Sequence, residues 1–146
     1  METTHGRGLV VMKVLLVGSD GALLEGLAQA FAAQGYSPRA VATLLEARDA
    51  ASGDPPLLAV LEGSLAAESV ADVLAIPLLP GGALMLFSQR ADEHSLLSPA
   101  LRRAVLAELT LPLERNRLMA LAQHVSDRVI ATGRSGRRTP PEQRAV

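Results

Sequence analysis

Short runs of uninterrupted apolar residues, each followed by a stretch with helical spacing, limit what this chain can fold into more than any other feature. Lys13 to Val17, Leu57 to Leu61 and Ala83 to Phe87 are such runs. A strand that is apolar on both sides has to be covered on both faces. After the first run the period changes: Leu24, Leu27, Ala28 and Phe31 recur at i, i+3, i+4 and i+7, with Asp20 placed to cap a helix and Gly35 to stop it. A weaker strand over Arg39 to Ala42 leads into a helix from about Leu44 to Ser52, which Gly53-Asp54-Pro55-Pro56 ends. Residues 65 to 75 return to helical intervals at Leu65, Val70, Val73 and Leu74, before Pro77 to Gly82 breaks the helix. Asp92 to Arg103 reads as a helix interrupted near Ser98-Pro99, Val105 to Leu109 as a fifth strand, and Leu113 to Ala131 as a closing helix with Leu118, Leu121, Ala122, Val125 and Val129 inward.

Five strand-helix repeats predict a three-layer α/β domain, a doubly wound five-stranded parallel sheet with right-handed crossovers. In such a sheet any ligand sits at the carboxyl ends of the strands. With 146 residues the chain suits one core, burying roughly two-thirds of its unfolded surface. The domain is expected over residues 12 to 131. Met12-Lys13 resembles a chain start, so residues 1 to 11 read as a disordered leader or a misplaced start, and residues 132 to 146, with Arg134, Arg137, Arg138 and Arg144, as a disordered basic tail.

Composition narrows the functional classes. Fourteen basic residues nearly balance fifteen acidic ones, which removes the broad positive field that nucleic acid or an anionic membrane requires. Only Phe31, Tyr36 and Phe87 are aromatic, so stacking on bases is not expected. The absence of cysteine excludes thiol catalysis and thiolate metal sites, and a cytoplasmic location is the simplest expectation. The apolar run over residues 9 to 17 is interrupted by Lys13 and is too short to span a membrane. His5, His94 and His124 are too scattered for a metal site, and His124, at the flank of the closing helix's stripe, reads as a partly packed structural residue.

The residues at the strand ends carry the chemistry. Glu62 closes the third strand, Gly18, Ser19 and Asp20 follow the first, Ser88 follows the fourth, and Thr110-Leu111-Pro112 follows the fifth. The turn from Gly18 to Gly21 could offer backbone N–H groups to a phosphate. It lacks the third glycine of a dinucleotide fingerprint, however, and the chain has no Walker lysine. Ser64 occupies a strand-to-helix turn without the flanking glycines of a nucleophile elbow.

Over residues 12 to 131 this order of elements, with these residue classes at the strand ends, resembles the response-regulator receiver domain of two-component signalling, a flavodoxin-like fold. The resemblance implies a role for each position. An acidic pair that holds magnesium matches Gly18 and Ser19, with Asp20 one step later; the phosphate-accepting aspartate matches Glu62; the switch hydroxyl matches Ser88; the aromatic switch residue matches Glu108; and a lysine followed by a cis proline matches Leu111 and Pro112.

Phosphoryl transfer needs a metal to offset charge on the transferred group and a cation to hold it. Gly18 and Ser19 remove carboxylates that magnesium requires, and Leu111 supplies no cation. The expectation is an atypical stand-alone receiver, a pseudo-receiver in signal transduction, that is no enzyme, uses no cofactor or metal and is not phosphorylated by the usual route. It would act by binding another protein or its own copy through residues 91 to 131. Glu62 then either imitates a phosphorylated aspartate or marks a site that has drifted. Two alternatives stay open: a nucleotide- or small-molecule-binding domain using the Gly18 to Gly21 turn, and a receiver that still accepts phosphate using Asp20 and a shifted metal.

Overall fold

The structure, a computed structural model, describes residues 12–90 and 98–138, with side chains as far as residue 132. Five strands, β1 (Lys13–Val17), β2 (Ser37–Val41), β3 (Leu58–Glu62), β4 (Ala83–Ser88) and β5 (Ala107–Thr110), form one all-parallel sheet in the order β2-β1-β3-β4-β5. The helices are α1 (Gly21–Ala33), α2 (Leu44–Gly53), α3 (Gly63–Glu68), α4 (Val70–Leu74), α5 (Pro99–Ala104) and α6 (Arg115–Arg138). This is the doubly wound architecture that the strand-helix alternation predicts.

Alternate strand residues feed two separate cores. Val14, Leu16, Leu58, Val60, Met85 and Phe87 pack with Leu24, Leu27 and Phe31 of α1 and Leu118, Ala122 and Val125 of α6. Leu15, Val17, Ala59, Leu61, Leu84 and Leu86 pack on the other face with Ala47 and Ala51 of α2, Ala66 of α3, Val73 of α4 and Leu101 of α5. Both faces are therefore covered, as the unbroken apolar runs require.

Local signals set most boundaries. The Asp20 carboxylate accepts from the Leu23 N–H at the start of α1. At its end the Gly35 N–H donates to Ala32, and the φ of +93° at Gly35 turns the chain so that the Tyr36 N–H reaches Phe31, satisfying carbonyls that the helix leaves open. The helix expected over residues 65 to 75 is two short ones. Ser69 leaves the helical conformation between them, with φ −152° and ψ 83°, and its hydroxyl donates to Asp72 at 2.7 Å, so a local side-chain bond replaces a helical turn. Strand β5 begins two residues later than its apolar pattern suggests, because the Val105 N–H still donates to Leu101 to close α5. The closing helix starts at Arg115 and runs on to Arg138, past the Ala131 at which its apolar stripe stops. Residues 1–11, 91–97 and 139–146, which include the expected leader, the start of the expected fourth helix with His94, and the end of the tail, lie outside the described residues.

Candidate functional site

Parallel pairing places the ends of β1 and β3 side by side, with Val17 opposite Leu61. Glu62 leaves the end of β3 half-buried and reaches across to the loop after β1. Its Oε1 accepts from the Ser19 backbone N–H at 2.8 Å and from the Ser19 hydroxyl at 2.9 Å, while Oε2 accepts from the Ser64 hydroxyl at 2.7 Å. The carboxylate thus joins the β1–α1 turn to the first turn of α3. Burial alone would raise its pKa, but the bonds from the Ser19 N–H, the Ser64 hydroxyl and the Ser19 hydroxyl outweigh burial and the nearby Asp20 charge, holding it below the ordinary carboxylate value. Glu62 is a fixed anion at neutral pH.

Gly18 makes this approach sterically feasible. A Cβ on residue 18 would lie 3.2 Å from Glu62 Oε1, 3.1 Å from the Phe87 ring and 3.5 Å from Leu24. Asp20, one step on, is occupied in a different way: Oδ1 caps α1 and Oδ2 accepts from the Gln89 side-chain amide at 3.1 Å. Gln89, just after β4, is a member of the rim that sequence reasoning missed, since an exposed glutamine beyond a strand carries no motif.

The far side of the rim is built differently. Ser88 is buried, and its hydroxyl donates to the Arg90 carbonyl at 2.6 Å. The Leu111 N–H donates to the Ser88 carbonyl at 2.9 Å, and the Leu111-Pro112 bond is cis. The Leu111 side chain is fully buried in the core shared by α1 and α6. Glu108, at the position of the aromatic switch residue, is partly covered and lies 3.9 Å from Arg102. Glu114 satisfies the end of β5, accepting from the Thr110 N–H at 2.7 Å.

A magnesium ion prefers several oxygen ligands in near-octahedral array, usually including one or two carboxylates. Two carboxylates stand at this rim, those of Asp20 and Glu62, and all four of their oxygens accept protein hydrogen bonds. Among the described residues no group of three or more His, Asp or Glu side chains is gathered for a metal. The donor set does not fit the ion that the receiver resemblance implies.

Beside the rim, a groove of about 660 Å³ runs along Gly18, Ser19 and Gly21, with Leu24 and Ala28 of α1 on one side and Arg39 to Ala42 on the other. Glu25 and Glu46 also line it. The basic residues of the last two helices are not simply a solvated face. Arg117 pairs with Glu114, and Arg128 donates to the carbonyls of Gly81 and Gly82, pinning the turn before β4 to α6. His124, expected to be partly packed, is exposed on α6. Leu106 and Leu113, before and after β5, are exposed apolar residues.

No protein-family model matches the sequence, and the search of curated proteins gives no match either. Solved structures do match. A receiver domain (CheY-like) from Methylobacillus flagellatus has a TM-score of 0.66 at 16% identity, over 80% of this chain and 99% of that one. One from Methanospirillum hungatei JF-1 has a TM-score of 0.63 at 21% identity, over 82% and 97%. A response regulator receiver modulated diguanylate cyclase from Pelobacter carbinolicus has a TM-score of 0.64 at 17% identity, over 84% and 98%. At these identities the likeness is one of fold: the chain has the fold of response-regulator receiver domains. Among the described residues no helix is long and apolar enough to cross a membrane.

Proposed function

We propose that this receiver-fold chain is a signalling module that works by contact with another protein or with its own copy, and that its rim does not take a phosphoryl group by the usual route. The observation that carries the reading is the state of Glu62, whose two oxygens accept three hydrogen bonds from Ser19 and Ser64. A carboxylate so engaged is a poor nucleophile, and Leu111, buried in the core, supplies no cation at the end of β5. The hydrogen bonds of Glu62 run to the loops after β1 and β3, while the Ser88 hydroxyl donates to the Arg90 carbonyl. This favours a structural latch over imitation of a phosphorylated aspartate. The contact region is residues 91 to 131, of which 98 to 131 are described: exposed Leu106 and Leu113 lie there among exposed Arg103, Arg115 and Arg117.

The test is incubation with acetyl phosphate and magnesium followed by intact-mass analysis. No mass gain is expected, and a phosphoryl adduct mapping to Glu62 or Asp20 overturns the reading. The groove beside Gly18 supports a second reading, a small-molecule site. Its walls carry two glutamates against one arginine, and the start of α1 is already capped by Asp20, so a neutral or cationic ligand suits it better than a polyphosphate. Thermal stabilisation by ATP, NAD or FMN would reverse that preference.

A further inference from the structure

We infer that Gly18 and Glu62 are two halves of one adaptation: the long side chain from β3 fills the space that a side chain on residue 18 would need, so the end of β1 can regain a carboxylate only if residue 62 is shortened. The inference deepens the reading of a closed rim by assigning what keeps a divalent cation out.

The geometry is specific. Gly18 does not have a positive φ, so its backbone would accept any L-residue. Volume is what opposes one. The added Cβ would sit 3.2 Å from Glu62 Oε1, close enough that the carboxylate must move, yet that oxygen is held by both donors of Ser19. The second close neighbour, the Phe87 ring at 3.1 Å, belongs to the core and is present whatever stands at 62. An aspartate at 18 would add like-charge repulsion to this crowding, with Asp20 already nearby. At the position of the paired acids that the receiver resemblance implies at 18 and 19, the carboxylate bound to Ser19 is therefore supplied from β3. An acidic residue at 18 and a glutamate at 62 compete for one space, and the two departures from the receiver pattern are coupled through it.

A double-mutant cycle in the full chain tests this by thermal unfolding. Gly18→Ala in the parent should lower Tm by about 5–10 °C, and in the Glu62→Ala background by less than half as much. Equal losses in both backgrounds overturn the inference, because Phe87 would then be the obstacle. If Gly18→Ala fails to fold while Gly18→Ala with Glu62→Ala folds, the pair is supported; if neither folds, it is refuted. A phosphorylated parent would overturn the closed-rim reading whatever the cycle shows, whereas an additive cycle removes only the pairing.

Discussion

The two sides of the rim part from the receiver pattern in opposite ways. On the β1–β3 side the departures stay polar: Glu62 keeps a charge and receives three donors, and Asp20 is held by Leu23 and Gln89. On the β5 side the departure is apolar, and Leu111 has joined the core under α6. The first side has been rewired and the second absorbed. One consequence is mechanical, because a buried leucine at position 111 gives the charge at the end of β3 no cationic partner on β5 itself. A second is energetic: damage to the apolar side should cost more than damage to the polar one.

Leu111→Lys gives the largest expected effect. Placing an ammonium where Leu111 is fully buried should cost on the order of 4 kcal/mol, read as a fall in urea midpoint at unchanged slope. If stability hardly changes, the lysine is reaching the rim and the contrast between the two sides fails. Glu62→Gln comes next. The amide nitrogen cannot accept a bond, so one serine hydroxyl loses its acceptor and the loss should be roughly 1 kcal/mol at neutral pH.

Acidity separates the charge from the shape. The folded-state pKa of Glu62 is depressed below 4.5, so its contribution is complete above the ordinary carboxylate value and vanishes as pH falls through the depressed one. The stability gap between the parent and Glu62→Gln should therefore shrink on acidification. A gap that stays constant down to pH 3 or so would mean that the carboxylate charge contributes nothing. Ser64→Ala should have the smallest effect, about 0.5 kcal/mol, since its bond to Glu62 is exposed and two donors remain. A loss as large as that of Glu62→Gln would show that Ser64, and not Ser19, holds the carboxylate.

Much of the fold was legible because local and global signals agree. The stripe at Leu24, Leu27 and Phe31, the cap at Asp20 and the stop at Gly35 all define α1. Legibility failed where one hydrogen bond overrides a pattern, as at Ser69 between α3 and α4, and where no pattern exists. From Thr132 to Arg138 the sequence has no apolar residue to mark a helical face, yet the helix continues to Arg138. At the rim the residue types could be read but not their directions. That Glu62 meets Ser19, 43 residues away, depends on β1 and β3 being neighbours in parallel register, and that Leu111 turns inward depends on how the chain leaves β5. Gln89 and Arg128 have partners that only the tertiary structure supplies.

If Glu62 closes the Ser19 end of β1, no place for a divalent cation is left there. Titration of the protein with millimolar magnesium, followed through the backbone amide resonances of Gly18, Ser19 and Asp20, tests it most directly. No saturable shift is expected at these amides in the parent, while the Ser19 amide should move on Glu62→Gln as its charged acceptor becomes neutral. A saturable magnesium-dependent shift at Ser19 or Asp20 in the parent would show an open acidic site and contradict it.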